Sequence, residues 1–452
     1  MRRILAGIVV LSLAALVAVC APLGLDAQDK SSAIDVLLTG YWAAHALNGA
    51  ALVSDHGKVI LEKGYGYADF EWKVPNTPDT KFRLGSITKQ FTATLVMQLV
   101  EEGKLSTTAT LASVLPYYRK DTGSRVTIHH LLTHTSGIPS YTSLPNFEKD
   151  ISRNPYGVRE FVEKFCSGDL EFEPGSKFVY DNSGYFILGA ILEQVTGKPY
   201  AALLHERVLE PLGMRSTGYD LSEPILEKRA RAYEQGFGGV RNAEYLDMTL
   251  PYSAGSLYST VEDLYLWDQA LYGEKVLSAK AKERMFTPNL ENYGYGLVMQ
   301  RRPIGPDKAE RLTISHGGGI NGFNTVILRV PEDRQLVVIL NNTGGTTLNE
   351  MASGILDILY GRTPPPARPS IGFVLYQTIR SSGPAAAVAQ FEDIRKTRPG
   401  EYLINAAQLN RLGDDLEREK RPADALAMFK LSVELDPSNR YAAQKLEELA
   451  KR

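Results

Sequence analysis

The chain has 452 residues, 44% of them hydrophobic and 23% charged, proportions that exclude a disordered, collagenous or multiply membrane-spanning protein. Lys plus Arg total 50 against 52 Asp plus Glu, a formal charge of −2, so no electrostatic case exists for nucleic acid as the main ligand. The only two cysteines, Cys20 and Cys166, cannot build a disulfide framework. In chain order, Met1-Arg2-Arg3 precedes an apolar run from Ile4 to Val19 and small or polar residues to Gln28. That order reads as a secretory signal peptide over residues 1–27, the apolar run of about 16 residues being short of the roughly 20 that span a bilayer. Export to the periplasm or beyond is therefore expected. Cys20 would tie the chain to a membrane only if lipidated, and Val19 before it is bulkier than that reaction usually accepts. With the leader removed, Cys166 is a lone thiol.

Residues 50–55 and 58–62 flank His56-Gly57 and predict a hairpin; residues 324–330 and 335–341 flank Pro331-Glu-Asp-Arg334 and predict a second. Helical patterns and loops lie between them, without regular strand–helix alternation. The order fits an α+β architecture: an antiparallel sheet built from both ends of a domain at residues 28–362, with helices around it and a mostly helical region. A Pro-rich stretch at 363–371 reads as an extended linker, and residues 372–452 are helical in pattern. Within this tail, Leu409, Leu412, Gly413, Leu416, Ala425, Phe429 and Pro437 are spaced as in a tetratricopeptide unit. Ala387, Phe391 and Pro399 repeat the last three landmarks.

The chemistry begins at Leu84-Gly85-Ser86-Ile87-Thr88-Lys89, which opens a helical pattern with Ile87, Phe91 and Leu95 on one face and Gly103 as its stop. Three residues apart, Ser86 and Lys89 become neighbours on one helix face. Ser86 also sits in the first turn, where free N–H groups favour developing negative charge. A serine hydroxyl needs a group to take its proton, and a desolvated lysine can do so. Taken alone, the short pattern reads better as an N-capping serine followed by a solvated lysine. Further along come Leu131-Leu-Thr-His134-Thr-Ser-Gly137, Tyr180-Asp181-Asn182 before an apolar helix from about Gly184 to Thr196, and His316-Gly317-Gly318-Gly319 between a short extended run and the second hairpin.

With these motifs in this order, residues 35–360 resemble the serine β-lactamase and penicillin-binding-protein superfamily. The pattern looks closest to its class C β-lactamase, D-alanyl-D-alanine carboxypeptidase and carboxylesterase branch. The resemblance implies that Ser86 attacks a carbonyl to form an acyl-enzyme, with Lys89 and Tyr180 sharing the proton as general base. Tyr180 would need its pKa pulled down, which an adjacent ammonium would do. Asn182 would orient the Lys89 amine and bind substrate, beside His316, Gly318 and Gly319. The backbone N–H groups of Ser86 and Gly319 would form the oxyanion hole. Gly255 and Ser256 are expected to border the cleft, and Asp263 to be structural in a Thr260 capping pattern.

The departure from the antibiotic-active members lies at His316, where a Lys-Thr-Gly motif usually supplies a cation for the substrate carboxylate. A histidine is largely uncharged at neutral pH, which favours neutral esters or amides. His134 could be drawn into a Ser-His-Asp triad, but no Gly-x-Ser-x-Gly elbow supports one, and its loop resembles a structural turn of the family. No His-Glu-x-x-His or Cys/His cluster suggests a metal, and no cofactor is expected. The expectation is an exported serine hydrolase acting on small ester, amide or peptide substrates. A β-lactamase or D,D-carboxypeptidase is the alternative within that chemistry; an interaction scaffold binding a protein partner through residues 372–452 is the alternative outside it.

Overall fold

The computed structural model describes residues 27–346 and 348–451; the leader read at 1–27, with Cys20, lies outside them apart from Ala27. Among the described residues no helix is long and apolar enough to cross a membrane.

Both hairpins form. Strand β1 (Gly49–Asp55) pairs with β2 (Lys58–Tyr65), and β3 (Val298–Ile304), β4 (Ala309–Ile320), β5 (Phe323–Val330) and β6 (Gln335–Asn341) make an antiparallel meander. Pairing of β6 with β1, from Gly49↔Asn341 to Ser54↔Leu336, closes a six-stranded sheet in the order β3-β4-β5-β6-β1-β2. The two ends of the domain thus meet at the centre of one sheet. Because side chains alternate along a strand, Ala50 and Leu52 of β1 join Leu336, Val338 and Leu340 of β6 in one core. Ala51 and Val53 join Val337 and Ile339 in another. Helices α1 (Ala27–Ala43), α2 (Thr88–Glu101), α3 (Asn182–Thr196), α4 (Val261–Ala270) and α5 (Asn349–Leu359) surround it. α1 and α5 cover the second core through Ile34, Leu38, Met351 and Ile355.

β4 is longer than the short run expected before His316. It spans 12 residues and includes the whole triplet, pairing Gly317↔Val326 and Gly319↔Asn324 with β5. Glycine is a poor strand residue by propensity, but the site demands it here: a Cβ on Gly318 would fall 1.9 Å from the Leu84 carbonyl oxygen. Five helices complete the described residues: α6 (Ile371–Ser382), α7 (Pro384–Thr397), α8 (Ala406–Arg418), α9 (Pro422–Leu435) and α10 (Arg440–Ala450). Leu409, Leu412, Leu416, Ala425 and Phe429 are fully buried between α8 and α9. Gly413 lets the Phe429 ring approach, since a Cβ there would lie 2.6 Å from it.

Candidate active site

Ser86 occupies a single 3-10 turn, Gly85–Ile87, that runs directly into α2. Gly85 takes a left-handed φ of +56°, and a Cβ on it would press to 3.0 Å from the Gly319 nitrogen. Glycine is required on both counts, and the outcome is that the backbones around Ser86 and Gly319 lie side by side. The loop is clamped from two directions: Leu84 N–H donates to the Leu257 carbonyl at 2.7 Å, and the Thr325 hydroxyl donates to the Leu84 carbonyl at 2.7 Å.

α2 is buried along its first ten residues, Thr88 to Met97, as suits a helix enclosed by the protein. Lys89 therefore enters the interior with 0% exposure. Its Nζ lies 3.0 Å from Ser86 Oγ, 2.9 Å from Asn182 Oδ1 and 2.9 Å from the Ala254 carbonyl oxygen. All three partners are uncharged, and burial pulls its pKa down to about 7, Asp181 opposing weakly. The arrangement suits a neutral amine: two N–H groups donate to the two carbonyl oxygens, leaving the lone pair for the Ser86 hydroxyl proton.

Tyr180 closes the group: its ring centroid lies 4.9 Å from Lys89 Nζ. Here the sequence expectation fails. Although Tyr180 as a whole is 38% exposed, desolvation of its hydroxyl raises the phenol pKa above its ordinary value, the Ser86 side chain opposing and Asp181 adding to the rise. The shifts favour the uncharged phenol at Tyr180 and the uncharged amine at Lys89.

His134 holds Tyr180 in place. The His134 carbonyl accepts from Val179 N–H at 3.0 Å and Nδ1 accepts from Asp181 N–H at 3.2 Å, bracketing Tyr180. The rings of His134 and Tyr180 lie 4.2 Å apart. Burial lowers the His134 pKa from its usual value, and with Nδ1 accepting, the neutral ring carries its proton on Nε2. The scaffolding expectation fits this geometry. Asp181 caps α3 through Gly184 N–H, which places Asn182 at the helix start, facing Lys89.

His316 departs from its expected contact with substrate. Nδ1–H donates to the Gly317 carbonyl at 2.6 Å and Nε2 accepts from the Tyr293 hydroxyl at 2.9 Å, so both ring nitrogens are used within the protein. Burial, with the Lys89 charge second, drives its pKa to about 3. The ring is uncharged, as the sequence suggested, but it is buried behind the site and does not line the Ser86 cavity, lying 6.2 Å from the Tyr180 ring. Gly318 also faces inward, against Leu84, whereas Gly319 borders the cavity. Ser256 is fully buried on the Met248 carbonyl rather than at the cleft; Ala254 and Gly255 take that place. Thr260 caps α4 through Asp263 N–H, and the Asp263 carboxylate accepts from Ser216 and Thr217, a structural set.

The cavity beside Ser86 measures about 120 Å³. Asn182 and Thr142 supply its polar edge; Phe147, Leu246, Pro251 and Ile320 supply apolar walls, and no charged side chain lines it. Sequence reading missed these walls, because Phe, Leu and Ile carry no chemical signature, and it missed the Ala254 carbonyl, because any residue could present one. Among the described residues no group of His, Cys, Asp and Glu is placed to hold a metal ion.

A half-buried Ser86 beside the buried Lys89, set between an antiparallel sheet and a helical region with a glycine strand against the serine, suits a nucleophilic serine. Comparison with known proteins agrees. The Beta-lactamase family profile matches residues 34–359. Penicillin-binding protein 4* of Bacillus subtilis (strain 168) is 30% identical, over 72% of this chain and 74% of that protein. Esterase EstB of Burkholderia gladioli is 35% identical over 51% of this chain and 62% of its own length. The crystal structure of D-amino acid amidase from Ochrobactrum anthropi SV3 superposes with a TM-score of 0.63 at 26% identity, covering 73% of this chain and 98% of that one. The chain belongs to the Beta-lactamase family and is a serine hydrolase. The profile match ends at residue 359, before α6–α10.

Proposed function

We propose that Ser86 forms an acyl-enzyme with neutral esters or amides, in preference to substrates recognised through a carboxylate. The observation that carries this reading is the absence of any charged side chain from the lining of the Ser86 cavity. The one residue at the position of the family's cation, His316, is neutral and fully engaged. A carboxylate brought into such a cavity would lose hydration with nothing to replace it, while a neutral acyl group gains from the apolar walls.

In the proposed reaction the Ser86 proton passes to neutral Lys89 as Oγ bonds to the substrate carbonyl carbon. The carbonyl π electrons move to oxygen, stabilised by the N–H groups of Ser86 and Gly319. Collapse of this intermediate expels the alcohol or amine, which takes its proton from the Tyr180 hydroxyl as Lys89 returns one to Tyr180. Water then repeats the sequence against the acyl-enzyme, and Asn182 holds the Lys89 amine throughout. The EstB and amidase relatives support ester or amide turnover; the penicillin-binding relative favours the β-lactam or D-alanyl reading. A panel of a short-chain aryl ester, a D-amino acid amide, a chromogenic cephalosporin and a D-Ala-D-Ala peptide separates them. Dominant turnover of the ester or amide supports the proposal, and faster cephalosporin or dipeptide hydrolysis overturns it. The apolar leader pattern at 1–27 supports export, and the α8–α9 packing supports a tetratricopeptide-like unit in the tail; both belong to the proposal.

A further inference from the structure

The C-terminal helices do not hang free of the hydrolase. Their core includes a residue of the catalytic domain: Phe237, 3% exposed, sits among Ile371, Leu375, Leu412 and Leu416. Phe237 is the tip of a hairpin, Tyr233–Gly236 paired with Gly239–Asn242. Its ring meets Phe373 at 5.0 Å edge to face, and the Arg411 guanidinium lies 5.3 Å over it. Gly372 makes room for it, since a Cβ there would come within 2.4 Å of the ring. Polar bonds fix the same contact. Phe237 N–H donates to Asp415 Oδ2 at 2.9 Å, Arg411 donates to the Gln235 carbonyl at 2.6 Å, and Arg241 pairs with Asp415 Oδ1 at 3.5 Å.

The other end of this segment touches the active-site wall. Gly322 N–H donates to Glu234 Oε1 at 3.2 Å, and a Cβ on Gly322 would strike Ala232 at 2.6 Å. Asn321 Nδ2 donates to the Glu244 carbonyl at 2.9 Å. Asn321 and Gly322 are the turn that follows Gly319 and Ile320 out of β4, and Gly319, Ile320, Asn321 and Leu246 all border the Ser86 cavity. One segment, 232–246, is thus gripped by the tail at its tip and supports the cavity wall at its base.

We propose that the C-terminal helices are a positioning element of the active site, setting through Phe237 and Asp415 where the Gly319–Asn321 and Leu246 walls stand and so which acyl groups fit. The proposal rests on reading the Ser86 cavity as the acyl site. Phe237 and Asp415 are positioning residues: neither borders the cavity, so they act on the fit of the substrate and not on Ser86 chemistry.

The test compares the full-length protein with Asp415→Ala, Asp415→Asn and Phe237→Leu, the last keeping an apolar anchor should the alanine variant not fold. Acetyl and benzoyl esters of one phenol serve as substrates, and Ser86 is titrated with a serine-directed covalent probe. Asp415→Ala and Phe237→Leu should change the benzoyl-to-acetyl ratio of kcat/KM by roughly 2- to 30-fold, the range of remote couplings, carried by KM. Probe stoichiometry at Ser86 should stay the same, and Asp415→Asn, which keeps an acceptor for Phe237 N–H, should recover most of the wild-type ratio. Ratios unchanged in every variant that folds overturn the proposal. So does a fall in kcat alone, which marks general destabilisation. Wild-type protein with no Ser86 labelling and no ester turnover defeats the acyl-site reading first, and the positioning role falls with it.

Discussion

The pH dependence of acylation follows from Lys89. Its pKa of about 7 makes the amine roughly half neutral at pH 7, about 1% neutral at pH 5 and nearly all neutral at pH 9. If the neutral amine takes the Ser86 proton, kcat/KM for a neutral aryl ester should rise with unit slope and gain about 100-fold between pH 5 and a plateau above pH 8. Burial moves both site histidines away from this limb, lowering His134 and taking His316 to about 3. Tyr180, pushed upward, supplies none either. The same shift has a stability sign. Between pH 7 and 10.5 the unfolded chain binds the proton that folded Lys89 has lost, so stability rises with pH across that window and is lowest below it. The full shift corresponds to about 5 kcal/mol. Lys89→Met should remove that slope and raise Tm at pH 7 while abolishing turnover, a trade familiar at active sites. Initial rates from pH 5 to 9, with thermal melts of both proteins at each pH, measure the two effects. A kcat/KM flat over this range, or rising with an apparent pKa above 9, would refute Lys89 as the neutral base.

Tyr180→Phe should slow acylation by roughly 10²- to 10⁴-fold with little change in Tm, read by stopped-flow release of the first phenol; near-normal rates would leave proton transfer to Lys89 alone. Gly318→Ala and Gly319→Ala should differ sharply, although adjacent. The first would put a Cβ 1.9 Å from the Leu84 carbonyl, whereas the second meets nothing nearer than Asn324 Nδ2 at 3.7 Å. Thermal melts and ester turnover should show Gly318→Ala destabilised and inactive and Gly319→Ala folded; equal behaviour would contradict the strand-to-loop contact. His316→Lys would bring a second cation beside Lys89, already felt at His316. It should move the acid limb of kcat/KM below pH 7 and raise turnover of carboxylate-bearing esters relative to neutral ones; an unmoved limb with an unchanged ratio would contradict the placement of His316.

What was legible in the sequence was local or periodic. Ser86 and Lys89 are three residues apart on one helix, so their contact follows from helix geometry alone. Both hairpins follow from short apolar runs on either side of the turn residues His56-Gly57 and Pro331–Arg334. What was not legible depends on distant chain segments. The Ala254 carbonyl reaches Lys89 across 165 residues, and it is burial contributed by many segments that lowers the Lys89 pKa. Reading Tyr180 from its neighbour's charge alone gave the wrong direction, because desolvation is the larger effect. His316 was correctly read as uncharged, but its hydrogen bond to Tyr293, which takes its ring away from substrate, has no local signature. The tail was legible as helices, while its grip on Phe237 was not: one aromatic in a hairpin looks the same whether it faces solvent or another core.

Everything proposed for the site depends on Ser86 being the nucleophile. Intact-mass and peptide analysis after reaction with a serine-directed acylating or phosphonylating probe tests it directly, comparing wild type with Ser86→Ala. One adduct per chain, located on Ser86 and absent from the variant together with ester turnover, is the predicted result. An adduct on another serine, or turnover retained by Ser86→Ala, would contradict the account.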